Sequence, residues 1–220
     1  MPEATVHLLR HGEVYNPDRV LYGRLPSFRL SELGQEMARR AADYFSERGK
    51  NGATISYLVA SPLTRAQETA GPAAKSLGLE IVTDERIIEA ENHFEGLTDI
   101  RSHLRDPRYW PRLYNPFRPS WGEPYAAQVA RMRDAITDAR RQAVERGGPG
   151  AEAILVSHQL PIWVTRLASE GKPLWHDPRR RQCTLASVTS LEFDDGRLSA
   201  VRYAEPCADL LPGAANLPGA

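Results

Sequence analysis

Several short stretches of this chain carry side chains that could handle an anion together. Arg10 and His11 stop the apolar run Thr5-Val6-His7-Leu8-Leu9, Ser61-Pro62-Leu63-Thr64-Arg65 follows the run Ile55 to Ala60, and His158 follows Ala153 to Ser157. Each cluster sits where a buried strand should end, and open α/β sheets keep their chemistry at that edge. Arginine stays charged and meets phosphate oxygens with a planar fork of donors, so Arg10 and Arg65 supply fixed positive charge for a dianion. A neutral imidazole can attack phosphorus and hold the phosphoryl group until water takes it. The leaving alkoxide then needs a proton, and a carboxylic acid from the Glu89 region is the natural donor.

The elements that must position these groups alternate. A strand ending at Arg10 leads into a long turn-rich loop, Val14 to Pro26. Ser31 reads as the N-cap of a helix from about Glu32 to Arg48, with Leu33, Met37, Ala41 and Tyr44 on one face. After the second strand, a helix from near Thr64 holds Arg65 in its first turn, where backbone N–H groups favour an anion; Pro72 is expected to bend or split it. A short strand, Glu80 to Thr83, precedes an acidic stretch from Asp84 to Gly96. Gly122-Glu123-Pro124 opens a helix to about Arg146, and Gly147-Gly148-Pro149-Gly150 ends it. A strand runs into His158, and a helix with Ile162, Val164 and Leu167 follows. Gly171 to Gln182 is a basic loop with Arg179-Arg180-Arg181. Strands of about Thr184 to Phe193 and Leu198 to Tyr203 flank the hairpin turn Asp194-Asp195-Gly196. Strands alternating with helices predict an α/β fold: a mostly parallel sheet covered on both faces, with the strand ends sharing one edge.

The motifs Leu9-Arg10-His11-Gly12-Glu13 with nearby Asn16, Ser61-Pro62-Leu63-Thr64-Arg65-Ala66-Gln67-Glu68-Thr69-Ala70, Arg86-Ile87-Ile88-Glu89 with Phe94-Glu95-Gly96, and Val156-Ser157-His158 together resemble the histidine phosphatase superfamily, the phosphoglycerate-mutase-like family. They occur in the family's order over about residues 5 to 203. The resemblance implies a three-layer α/β/α sandwich and chemistry without a metal or other cofactor. It implies His11 as the phosphorylated nucleophile, with Arg10, Arg65 and His158 binding the phosphoryl group, Glu89 as general acid and Asn16 as a polar contact to the phosphate. Many members have a glycine four residues after the acid and a tryptophan before Glu-Gly. This chain has His93 and then Phe94-Glu95-Gly96, so Glu91 stands as the alternative acid.

Residues 1–203 are expected to form one domain, with an Arg- and aromatic-rich lid insertion at about 98–121 and a peripheral or loose tail at 204–220. The loop residue Arg24 and the lid residues Arg101, Arg105 and Arg108 are candidates to touch the substrate's leaving group. The Tyr22-Gly23-Arg24 tip otherwise reads as a solvated loop with aromatics packed beneath, and His7, His103 and His176 as structural or solvent-facing residues.

Lys and Arg number 28 and Asp and Glu 28, so no net field draws the molecule to nucleic acid or an acidic membrane. No apolar run approaches the roughly 20 residues of a membrane span. Cys183 and Cys207 lack metal-type spacing, and the N-terminus lacks a secretory pattern, which suits a reduced cytoplasmic setting. The expected partner is a small phosphorylated substrate, handled by a phosphomonoesterase. The alternatives are a cofactor-dependent phosphoglycerate mutase and a non-catalytic phospholigand-binding protein. Oligomeric state is open.

Overall fold

The computed structural model describes residues 3–98 and 121–215. The expected lid and its Arg101, Arg105 and Arg108 lie outside the described residues apart from the segment's ends. Six strands form one sheet: β1 (Ala4–Arg10), β2 (Ile55–Ala60), β3 (Ile81–Thr83), β4 (Glu152–Ser157), β5 (Val188–Asp194) and β6 (Arg197–Ala204). Their order is β3-β2-β4-β1-β5-β6, parallel from β3 to β1, with β5 antiparallel to both its neighbours. The centre of the sheet is β4-β1, whose residues are buried throughout. Their nearly continuous apolar sequence is what burial on both faces demands.

The side chains of these strands alternate between two cores. Val6, Leu8, Ala153 and Leu155 face the helices α3 (Tyr125–Gly147) and α4 (Gln159–Ser169), meeting Met132, Ile136 and Ile162. Leu9, Ile154 and Val156 face α1 (Glu32–Lys50) and α2 (Thr64–Leu77), meeting Ala41, Phe45, Ala66 and Ala70. The result is a three-layer α/β/α sandwich. Full burial of each Leu or Ile stabilises it by roughly 1.5–3 kcal/mol relative to exposure.

The helix of α1 begins as its sequence directs, with the Ser31 side chain accepting from the Gly34 N–H. Pro72 neither splits nor ends α2. Its missing N–H costs one helical bond, but Ala66, Ala70 and Ala73 are fully buried on both sides of it and hold the helix through. The strand expected from Thr184 starts only at Val188. Ala186 has φ 52°, a left-handed conformation that breaks the extended run, so the chain turns between Thr184 and Ser187 before β5 begins. The hairpin between β5 and β6 turns on Asp195 and Gly196, both at positive φ, as a tight right-twisting hairpin requires.

Over residues 204–215 the tail is docked rather than loose. Cys207 is buried with Met37, Leu185 and Ala186, and Leu210, Leu211 and Ala214 pack against this cluster. A three-residue-per-turn helix over Ala208–Gly213 carries them there. The Ala215 N–H then donates to Glu13 Oε1 at 2.5 Å.

Candidate active site

The strand register assembles the site. Arg10 pairs with Ser157, so the next residues, His11 and His158, leave the sheet side by side from adjacent parallel strands. Their rings lie 5.2 Å apart. Ala60 pairs with Val156, which brings Ser61 level with them, and Ser61 Oγ lies 2.7 Å from His158 Nε2. Arg65 enters from the first turn of α2. All five side chains are buried.

His11 Nδ1 lies 2.7 Å from the Gly12 carbonyl. A carbonyl only accepts, so Nδ1 carries the proton and Nε2 keeps its lone pair. The Gly12 backbone is fixed in turn: its N–H donates to Thr69 Oγ1, and a Cβ on Gly12 would sit 2.6 Å from the Gly34 carbonyl oxygen. Burial, then the charges of Arg65 and Arg10, hold the His11 imidazole well below the usual histidine range. The same forces, with His11 itself, hold His158 down. Both rings are therefore neutral at pH 7.

Around the rings, Arg10 and Arg65 concentrate positive charge, and both are held largely by backbone carbonyls. Arg10 Nη1 donates to the Cys183 carbonyl at 2.7 Å. Arg65 Nη2 donates to the Gly23 carbonyl at 2.6 Å, its guanidinium lies 4.7 Å from the Tyr22 ring centre, and its Nε has no partner among the described residues. His158 Nδ1 is likewise buried and unpartnered. An unsatisfied buried donor costs about 1–3 kcal/mol, and burying a guanidinium costs several kcal/mol more. A bound dianion would offset both. The first turn of α4, starting directly after His158 with no side-chain cap, adds the positive end of a helix.

Glu89 is buried and Glu91 exposed. Burial pushes the Glu89 carboxyl up, against the lowering effects of the Ala90 N–H that Oε1 accepts and of the Arg65, Arg181 and Arg131 charges. Its backbone is clamped: Arg24 Nε donates to the Glu89 carbonyl at 2.8 Å, and Arg131 donates to the carbonyls of Arg86 and Ile88. Glu123 anchors both arginines from the far side.

The geometry thus gathers Arg10, His11, Ser61, Arg65 and His158, with Glu89 facing the Arg65 charge. Asn16 is committed elsewhere. Its Nδ2 donates to the Val20 carbonyl and its Oδ1 accepts from the Val20 N–H, closing its own loop. The Tyr22-Gly23-Arg24 tip reads in the sequence as a solvated loop with aromatics packed beneath, and Tyr22 is buried, with its ring 6.4 Å from His11 and 5.2 Å from that of Phe28. Gln159, the residue after His158, is buried, and its Nε2 donates to the Cys183 carbonyl that also receives Arg10 Nη1. The place of Tyr22 beside His11 depends on Arg65, whose guanidinium meets the ring and whose Nη2 donates to the Gly23 carbonyl, a contact that no window of sequence around Tyr22 contains. Among the described residues no three His, Cys, Asp or Glu side chains gather as a metal site requires, and no helix is long and apolar enough to cross a membrane.

The model of the histidine phosphatase superfamily (branch 1) matches residues 6–206. The chain belongs to that superfamily. Within it, an uncharacterized protein of Mycobacterium tuberculosis is 51% identical over 211 residues, covering 94% of this chain and all of that protein. A "probable phosphoglycerate mutase" of Yersinia enterocolitica is 30% identical over 191 residues, covering 83% of each chain. Among solved structures of this superfamily's fold, a mycobacterial glucosyl-3-phosphoglycerate phosphatase aligns with a TM-score of 0.70 at 27% identity, covering 91% of this chain and 95% of its own. The proteins this chain resembles thus include a phosphatase and a probable mutase.

Proposed function

We propose that this protein is a phosphomonoesterase that hydrolyses small phosphorylated metabolites through a phosphohistidine on His11. The observation that carries this reading is the His11 imidazole. It is neutral, with Nδ1 tied to the Gly12 carbonyl and Nε2 left as the nucleophile, inside a buried ring of Arg10, Arg65 and His158. Arg10 and Arg65 neutralise the phosphoryl oxygens, and His158, oriented by Ser61, supplies a further donor.

In the first step Nε2 attacks phosphorus, a P–N bond forms and the P–O bond to the leaving alcohol breaks. The departing oxygen takes the proton of the Glu89 carboxyl. Burial suits that role, because it keeps a carboxyl protonated to higher pH. In the second step the Glu89 carboxylate takes a proton from water as the water oxygen attacks phosphorus. The P–N bond breaks, and inorganic phosphate and the starting enzyme are restored. Glu91 is exposed, which favours Glu89 over it as the acid. The glucosyl-3-phosphoglycerate phosphatase among the structural neighbours supports a hydrolytic outcome with a small-molecule substrate.

Rapid quench of the enzyme with a labelled aryl phosphate should trap an acid-labile, base-stable phosphoenzyme on His11, absent from His11→Ala. An active preparation with no label on His11 would refute the mechanism. The "probable phosphoglycerate mutase" relative supports a second reading, in which the phosphoryl group returns to a reoriented substrate. Interconversion of 3- and 2-phosphoglycerate primed with bisphosphoglycerate, faster than phosphate release, would favour it.

A further inference from the structure

The stretch that carries Glu89 is held in place by side chains from two other parts of the chain. Ile88 to Glu91 belong to no helix or strand, so their carbonyls have no regular ladder to join and must find other donors. Arg131, in the second turn of α3, supplies most of them. Its Nη1 donates to the carbonyls of Arg86 at 2.6 Å and Ile88 at 2.7 Å, and its Nη2 reaches that of Glu89 at 3.4 Å. Arg24 Nε adds a bond of 2.8 Å to the Glu89 carbonyl, and Ser157 Oγ donates to the Ile87 carbonyl at 2.7 Å.

Glu123, two residues before α3, joins the two arginines. Its Oε1 accepts from Arg131 Nε at 2.8 Å, and its Oε2 accepts from Arg131 Nη2 at 2.9 Å and from Arg24 Nη2 at 3.0 Å. Arg131 thereby commits its whole fork of five N–H donors, which a lysine cannot reproduce. The backbone of Glu123 is fixed as well: its N–H donates to the Glu91 carbonyl at 3.0 Å, and its carbonyl accepts from Gln128 Nε2 at 2.9 Å. That approach needs Gly122, where a Cβ would stand 2.0 Å from the Glu91 carbonyl oxygen. The side chains of Glu123 and Arg131 are only 14% and 16% exposed, so little water is at hand to replace a lost partner.

We infer that Glu123 is a positioning residue for proton delivery: through Arg131 and Arg24 it holds the Glu89 backbone, and so keeps the Glu89 carboxyl where the leaving oxygen can take its proton. This rests on the reading of Glu89 as the general acid and deepens it. Glu123 touches no reacting atom. The hydrogen bonds that orient His11, His158 and Arg65 run to Gly12, Ser61, Gly23 and Leu25, and none of them passes through Glu123. Loss of its charge should therefore impair protonation of the leaving group and spare the attack on phosphorus.

The test compares phenyl phosphate with p-nitrophenyl phosphate, which share a ring and differ in how much the departing oxygen needs a proton. In Glu123→Gln the ratio of kcat/KM for p-nitrophenyl phosphate to that for phenyl phosphate should rise roughly 10- to 100-fold, the cost of misplacing a reacting group by about 1 Å, and through kcat rather than KM. Arg131→Lys should shift the ratio in the same direction, and Glu89→Gln at least as far. Adding Glu123→Gln to Glu89→Gln should leave the ratio where Glu89→Gln put it, because the group being positioned is gone. Both esters are measured on one preparation, so loss of folded protein cancels. A ratio raised by Glu89→Gln but unshifted in both Glu123→Gln and Arg131→Lys overturns the Glu123 assignment alone, as does a further rise in the double variant. A ratio unshifted by Glu89→Gln overturns Glu89 as the acid and this inference with it. Absence of His11-dependent turnover of both esters overturns the phosphatase reading.

Discussion

Two buried histidines of β1 and its end, His7 and His11, lie four residues apart in the sequence and differ in almost everything but burial. His7 is enclosed by partners that satisfy it: Ser190 Oγ at 2.8 Å on one ring nitrogen and Glu152 Oε2 at 2.9 Å on the other. Arg48 closes the set with two bonds to Glu152, at 2.6 and 2.7 Å. His11 has one backbone bond, two arginines within electrostatic reach and a second neutral histidine. The first cluster is complete without a ligand, with a carboxylate against its cations. The second has surplus positive charge and unpartnered donors on Arg65 and His158. Burial alone does not make a histidine functional; an environment left electrostatically incomplete does.

The largest expected effect separates the two clusters by activity. His11→Ala should lower kcat/KM by at least about 10³-fold, as loss of a nucleophile does, with the melting temperature kept. His7→Ala should instead leave the rate per folded molecule unchanged and lower unfolding free energy by about 2–4 kcal/mol, from lost hydrogen bonds and a cavity beside Phe45. Urea titration and steady-state kinetics on both variants check the pair, and the contrast breaks if His7→Ala abolishes turnover in a folded protein.

Next in size is the acid. Glu89→Gln should lower kcat by about 10²-fold on alkyl phosphates and less on p-nitrophenyl phosphate, whose phenolate leaves without a proton. In the proposed mechanism Glu89 is protonated for the first step, and burial raises its folded pKa, so kcat/KM should fall as pH rises through that raised value. The glutamine variant should lose this basic limb. On the acid side His11 must be neutral, and its lowered pKa moves the loss of activity well below pH 6.5.

The smallest effect belongs to the His7 cluster and is read as stability. Glu152 is held down to about 2 by its bonds to His7 and Arg48, against burial. A depressed carboxylate stabilises the fold above its ordinary value and loses that contribution as pH falls through its folded value. The melting-temperature gap between wild type and Glu152→Gln should therefore be constant above pH 4.5 and close between 4.5 and 2. A gap that persists at pH 2 would show that the carboxylate charge is not what holds this cluster.

Much of this was legible from local pattern. The strand ends at Arg10, Ala60 and Ser157, the Ser31 cap and the Asp195-Gly196 turn follow from periodicity and turn chemistry, which act over a few residues. Pro72 does not split α2, because its local cost is outweighed by alanines buried on both sides of it. Tyr22 and Arg24 depend on the fold in another way: loop residues become site walls only through partners far along the chain, Arg65 for the Tyr22-Gly23 turn and Glu123 for Arg24. Asn16 carried a polar side chain of the right type, but its own loop used both ends of it. The tail from Ala204 has little apolar pattern, and Cys207, Leu210 and Leu211 suffice once α1 offers them a surface.

The sequence by itself determined the inventory of the site: which histidines and arginines stand at strand ends, and that an α/β sheet would bring those ends to one edge. Tertiary structure decided which of two equally buried histidines of one short stretch is satisfied and which is not, and which of Glu89 and Glu91 is taken out of water. The physical reason is that hydrogen-bond satisfaction and desolvation depend on atoms brought from elsewhere. Ser190 and Glu152 reach His7, and Arg65 reaches the flank of His11, through strand register and helix packing that no window of residues around them contains.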